Sequence, residues 1–180
     1  MNLYIVAGAN GSGKTTFAKD FSFQNDISFV NADEIAASMQ ENNIQAGKIF
    51  LQTIKKHLAE RQDFIMETTL SGRYIVKIIE KAKKLGYETT LFYLFLETPE
   101  INIARVKNRV LKGGHNIPTE DIIRRFYRSR KLFWNLYKQK VDSWYLFYNS
   151  DDEFEEIANS QDGIEMVYDE FLFEKLKESR

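Results

Sequence analysis

Nine residues near the start of the chain, "GANGSGKTT" (8–16), spell G-x-x-x-x-G-K-[ST] in full, with Gly8, Gly13, Lys14 and Thr15 at the specified positions. Glycines in a strand-to-helix turn let successive backbone N–H groups converge on an anion, and the helix N-terminus adds partial positive charge. In this Walker A pattern the lysine reaches the β- and γ-phosphates of a nucleoside triphosphate, and the hydroxyl after it ligates Mg2+. Gly8, Ala9, Asn10, Gly11, Ser12, Gly13, Lys14, Thr15 and Thr16 are therefore expected to cradle ATP or GTP, with Thr15 as the metal ligand. The flanks suit the motif. "NLYIVAGA" reads as a buried strand, and Phe17, Ala18 and Phe21 mark one face of a following helix. The motif leaves open whether the terminal phosphate is transferred, hydrolysed or only sensed.

Transfer to an alcohol needs a carboxylate to position the hydroxyl and take its proton, and acids to hold Mg2+ directly or through water. Asp33 in "FVNADEIA" and Glu67 in "FIMETTLSG" each follow an apolar run and are expected at the ends of the second and third strands. In a parallel sheet both would project onto the edge that carries the phosphate loop. Asp33 is also a good helix N-cap, and Glu67 could be a charge parked at a strand end. Glu97 is the weaker candidate, because Thr98-Pro99 starts a helix directly after it.

The segment "ARVKNRVLKGGHNIPTEDIIRRFYRSRKLF" places Arg105 and Arg109 before a glycine loop and Arg124, Arg125 and Arg128 after it. Arginine forks match phosphate oxygens and stay charged, so such a helix–loop–helix can close over a transferring phosphoryl group and exclude water. A solvated basic hairpin or a nucleic-acid patch would use the same residues. His115 reads as a loop contact rather than a metal ligand, and Arg130 as a surface residue whose loss is nearly silent.

The elements that must position these groups alternate. Strands are expected at about 2–7, 27–33, 63–69, 89–97 and 144–150, with helices between them, including a long one over about 120–140 capped by Thr119. The tail is read as a helix, a short strand near "IEMV" and a last helix. Alternation of this kind implies right-handed crossovers and a mostly parallel five-stranded sheet covered on both faces, binding ligand at the strand carboxyl ends. With 180 residues, 43% apolar, and Pro occurring twice, one domain spanning 1–180 is expected. The net charge of −1 argues against coating nucleic acid or anionic membrane, although residues 105–140 hold eleven Lys or Arg against two acids. Cysteine is absent, which excludes disulfides. No basic leader or long apolar run is evident, so a cytoplasmic location is expected.

Taken in order, "GANGSGKTT", "FVNADEIA", "METTLSG", "RVLKGGHNIP", "IIRRFYRS" and "YNS" resemble the small bacterial members of the zeta-toxin family of P-loop kinases, over roughly residues 1–150. The resemblance implies a nucleotide-kinase-like P-loop NTPase fold, a three-layer α/β sandwich with a helical lid at about 105–130. It implies phosphorylation from ATP or GTP with Mg2+, and, as in the characterised toxins, a sugar hydroxyl of UDP-N-acetylglucosamine as acceptor. By that likeness Asp33 is the base, Lys14 and Thr15 bind phosphate and Mg2+, and Arg109 and Arg125 stabilise the transferring group. Glu67 would touch acceptor or metal, Thr69, Arg73 and His115 would meet the acceptor, and an antitoxin protein is a possible partner. Tyr148 stands where the family usually has Asp before Asn149-Ser150, a segment implied to lie near the nucleotide base.

Two other readings stay open. A nucleoside or nucleotide kinase differs in its acceptor. A nucleotide-dependent module binding RNA or an antitoxin through residues 105–140 differs in having no acceptor, and RNA binding would weaken steeply with salt.

Overall fold

The structure is a computed structural model and describes residues 1–39, 43–150 and 153–178. Its element order is β1 (Asn2–Ala7), α1 (Lys14–Asn25), β2 (Ser28–Val30), α2 (Ala32–Met39), α3 (Asn43–Glu60), β3 (Phe64–Thr68), α4 (Tyr74–Lys84) and β4 (Glu88–Phe95). There follow α5 (Pro99–Leu111), α6 (Thr119–Asn135), a 3-10 turn (Tyr137–Gln139), β5 (Ser143–Ser150), β6 (Glu153–Gln161), β7 (Ile164–Val167) and α7 (Glu170–Glu178). One sheet orders the strands β2-β3-β1-β4-β5-β6-β7. The first five in that order are mutually parallel, and β6 and β7 add antiparallel.

The central strands β1, β3 and β4 are buried on both faces, which is why they read as near-continuous apolar runs. Side chains alternate with period two along β1: Leu3, Ile5 and Ala7 join the larger core cluster, whereas Val6 joins the smaller one with Tyr4 packed against it. The larger cluster takes in Phe50, Ile54 and Leu58 of α3, Ile78 and Ile79 of α4, and Phe133 and Trp134 of α6. On the other face α1 lays Phe17 and Phe21 against Phe92, with ring centroids 5.3 and 5.1 Å apart. The strand that carries Glu67, β3, is thereby held by packing on both faces, through Phe64 and Met66 on one and Ile65 on the other.

Several expectations need correction. Among the described residues the sheet has seven strands; the parallel five are those expected, and β6 and β7 extend it. The first part of the tail is a strand, not a helix. Its acid-rich composition suggests helix, but the open edge of β5 pairs with it from Ser150↔Glu153 to Trp144↔Ser160, and edge pairing overrides weak local propensity. A sequence signal for the hairpin does exist: Asp162-Gly163 joins β6 to β7 with φ of 51° and 78°, and two positive φ values are what an Asp-Gly type I′ turn supplies. Thr119 is the first helical residue of α6 with Pro118 at the N-cap position, so it caps nothing. That helix ends at Asn135, before the 3-10 turn. Thr98 does take the N-cap position of α5 with Pro99 next, though its side chain makes no capping bond. No helix among the described residues is long and apolar enough to cross a membrane.

Candidate functional site

The phosphate loop leaves β1 at Gly8 and enters α1 at Lys14, and it is packed rather than exposed: Ala9, Asn10, Ser12 and Lys14 are all buried. The Lys14 ammonium donates to the Ala9 carbonyl at 2.9 Å and lies 3.8 Å from Glu67 Oε1. Burial lowers its pKa from the ordinary lysine value. The Glu67 and Asp33 carboxylates oppose that shift, and the Arg109 and Arg125 guanidiniums add to it. One buried cation thus feels charges from β3, α2, α5 and α6, elements that are far apart in the chain.

Glu67 is the hub on the strand side. In-register pairing of β1 with β3 sets it opposite Val6, one residue before the loop's own strand ends. Thr15 Oγ1 donates to Glu67 Oε2 at 2.8 Å, and Asn31 Nδ2 donates to the same oxygen at 2.7 Å. Glu67 is therefore not a charge parked at a strand end. Hydroxyl and carboxylate oxygens in this arrangement are hard donors suited to Mg2+, which favours one or two carboxylates plus phosphate oxygens and waters.

Asp33 lies in the first turn of α2, not at the end of a strand, because β2 stops at Val30. Capping falls to Asn31, whose Oδ1 accepts the backbone N–H of Asp33 at 2.8 Å and of Glu34 at 3.4 Å. The Asp33 side chain is exposed, and it lines two adjoining cavities. One, of about 720 Å3, is walled by the phosphate loop, Glu67, Arg105, Arg109 and Lys112. The other, of about 320 Å3, is walled by Ala46, Thr69, His115, Ile117, Asp121 and Arg125. Asn10 and Asp33 line both.

The arginines of the glycine-loop hairpin divide by contact. Arg125 Nη1 donates to Asn10 Oδ1 at 3.1 Å, so α6 touches the phosphate loop directly. Arg109 lines the larger cavity and donates to the His115 carbonyl at 2.9 Å across the hairpin. Arg105 donates to the Asn149 carbonyl at 3.3 Å. Arg124 pairs with Asp121 at 2.6 Å, and Arg128 is exposed.

Three sequence expectations fall elsewhere. Arg73 sits exposed at the N-cap position of α4 and lines neither cavity. Arg130 is not a surface residue: it is 2% exposed, its guanidinium stands 3.9 Å from the centre of the Phe126 ring, and it donates to the carbonyls of Leu96 and Glu97. Glu97 has structural partners, Lys175 of α7 and the Tyr148 hydroxyl. The hydrogen bond from Lys175 holds the Glu97 carboxyl below the usual carboxylate range against the opposing pull of burial, with Tyr148 helping. Asn31 and Asn102 carry no role in the sequence reading, and Asn149 enters it only through the "YNS" segment, whose Asn149 amide meets the Ser12 carbonyl of the loop. An Asn just before a helix start is a cap signal that marks Asn31, whereas nothing local marks Asn102.

A sequence profile of the zeta toxin family matches residues 2–162. An uncharacterized protein of Haemophilus influenzae is 38% identical over 134 residues, which is 68% of this chain and 90% of that one. Among solved structures, a chain of the AvrRxo1-ORF1:AvrRxo1-ORF2 complex with ATP superimposes with a TM-score of 0.79 at 17% identity, over 99% of this chain. This chain spans 64% of that one, just under two thirds of its length. A chain of the Streptococcus pneumoniae PezAT toxin–antitoxin system superimposes with a TM-score of 0.63 at 18% identity, over 85% of this chain and 70% of that one. The fold is thus the mixed α/β fold of P-loop kinases, and with the family profile covering nearly its whole length the chain belongs to the zeta toxin family.

Proposed function

We propose that this protein is a phosphotransferase that passes the γ-phosphoryl group of ATP or GTP to a hydroxyl of a small acceptor, a nucleotide sugar such as UDP-N-acetylglucosamine or a related metabolite. The observation that carries the reading is the pair of adjoining cavities whose common wall is formed by Asn10 and Asp33. One cavity has the lining a triphosphate needs, and the other is lined by the same Asp33 carboxylate. The whole chain would act as one catalytic domain with residues 105–130 as its lid. The toxin–antitoxin setting of PezAT supports an antitoxin protein as a partner.

Asp33 accepts the proton of the acceptor hydroxyl as that oxygen bonds to the γ-phosphorus, and the bond from phosphorus to the β–γ bridging oxygen breaks to release the nucleoside diphosphate. Lys14 holds the β- and γ-phosphates. Arg109 and Arg125 bear on the charge that spreads over the transferring group. Thr15 would hold Mg2+, with Glu67 beside it. When bound, the ion neutralises charge on the phosphate oxygens. His115 and Thr69 orient the acceptor. Arg73, exposed on α4, is left out of this set.

Mass spectrometry of a metabolite extract incubated with the protein and ATP tests the proposal. The expected result is one metabolite that gains a phosphoryl group for each nucleoside diphosphate formed. ATP left intact, or hydrolysed to inorganic phosphate with no new phosphorylated product, would overturn it.

A further inference from the structure

A phosphate cradle made of backbone N–H groups works when those groups point inward, and something has to hold them so before the ligand arrives. In a planar trans peptide the carbonyl of one residue and the N–H of the next point in opposite directions. Capturing a loop carbonyl on the outside therefore aims the following N–H at the inside. All peptide bonds of the described chain are trans.

Two carbonyls of this loop are captured in that way, by amides from two different elements. Asn102 of α5 donates from Nδ2 to the Asn10 carbonyl at 2.6 Å, and Asn149 at the end of β5 donates from Nδ2 to the Ser12 carbonyl at 2.9 Å. Both side chains are buried, at 0% and 1% exposure. The N–H groups they orient belong to Gly11 and Gly13, and both glycines line the larger cavity. The fit is close on each side. A Cβ on Gly11, where φ is +83°, would stand 2.7 Å from the Asn102 carbonyl oxygen, and one on Gly13, where φ is +91°, would stand 2.2 Å from Asn149 Nδ2.

Each amide is used by half. Among the described residues the buried Oδ1 atoms of Asn102 and Asn149 have no hydrogen-bond partner, which costs stability that a leucine of similar size would not lose. A half-satisfied amide on each flank of the loop makes sense where its donor half is needed.

We infer that Asn102 and Asn149 are positioning residues that pre-set the Gly11 and Gly13 N–H groups for phosphate, acting from opposite flanks of the loop. The inference rests on the reading of this loop as the nucleotide site. Without the Asn102 amide, the Asn10 carbonyl turns toward the cavity and the Gly11 N–H turns away. Losing Asn149 does the same to Gly13. Pre-orientation of this kind is what lets backbone dipoles act without reorganising when the ligand binds.

Inorganic tripolyphosphate in the presence of Mg2+ is the probe, because it reads the cradle without base recognition or catalysis. Calorimetry is expected to show that Asn102→Leu and Asn149→Leu each weaken its binding about tenfold or more. Asn159→Leu removes another buried, half-satisfied amide, on β6 opposite Tyr145 at the far end of β5, and is expected to bind as the wild type does. In NMR titrations of the wild type, the Gly11 and Gly13 amide resonances should both move. Asn102→Leu should suppress the Gly11 response more, and Asn149→Leu the Gly13 response, a crossed pattern that general destabilisation does not produce. Wild-type binding with Gly11 and Gly13 amides that do not respond overturns the brace even where a variant fails to fold, as does equal affinity in all four proteins. A wild type that does not bind tripolyphosphate overturns the phosphate-site reading itself, and the brace with it.

Discussion

The phosphate loop and the glycine-loop hairpin both gather charge at the same cavities, yet they are built on opposite plans. The loop is a short stretch of consecutive chain, buried along most of its length and held by Asn10, Ser12 and Lys14 contacts to α5, β5 and β3. The hairpin runs over more than thirty residues, and its cationic heads are mostly exposed. What matters in the loop is order along the backbone. What matters in the hairpin is which side of a helix a residue faces. Arg125 and Arg130 show this most clearly. Five residues apart, they stand about 140° apart around α6. Arg125 reaches the loop through Asn10, whereas Arg130 turns under Phe126 and holds the chain just after β4.

The comparison can be broken at five points. The largest effect is expected from Lys14→Ala, which should abolish phosphoryl transfer while the far-UV spectrum stays native. Turnover near the wild-type rate would remove the loop from the chemistry. Arg125→Ala should leave the fold and ATP affinity intact and slow transfer on the order of a thousandfold, about 4 kcal/mol of transition-state stabilisation, in single-turnover assays. A change of less than about tenfold would return the hairpin to the class of solvated basic surfaces.

Asp33→Asn should lower kcat roughly a hundredfold, the usual scale for a lost general base. Because Asn31 does the capping, Asp33→Asn should leave the melting temperature unchanged, whereas Asn31→Ala should cost about 1 kcal/mol. A destabilised, fully active Asp33 variant would reverse those two assignments. Arg130→Ala should do the opposite of Arg125→Ala. It strands the Leu96 and Glu97 carbonyls and empties the space beneath Phe126, at about 2–3 kcal/mol, so thermal melts should shift down by roughly 5–10 °C with little change in turnover per folded molecule.

The smallest expected effect is on acid stability. Because Lys175 lowers the Glu97 pKa in the folded state, this carboxylate contributes its stability in full above its unfolded pKa and loses it as pH falls through the lower folded value. The pair is partly exposed, so Glu97→Gln should flatten the acid limb of the stability curve by about 0.5 kcal/mol or less. A larger effect in urea melts across that range would mean that α7 anchors the end of β4 more firmly than a surface pair can.

The parallel five-stranded core was legible because its central strands, buried on both faces, leave long apolar runs, and the strand-to-helix turn of residues 8–14 was legible because its geometry needs glycines at particular positions. The β6–β7 extension was not, since an acid-rich edge strand has little propensity of its own and forms on the partner that β5 presents. Asp33 and Glu67 could be named as candidates from their places after apolar runs. Their surroundings could not, because Thr15, Asn31 and Glu67 meet only when the β1–β3 register brings three separate segments together. The same holds for the two amides behind the loop, which lie 92 and 137 residues from the carbonyls they hold. The conformation of the glycine turn, set by local steric rules, was written in the sequence itself. The facing of each arginine, the identity of the helix cap and the partners of Glu67 were decided by packing between distant segments, where contact depends on register and helical phase rather than on neighbouring residues.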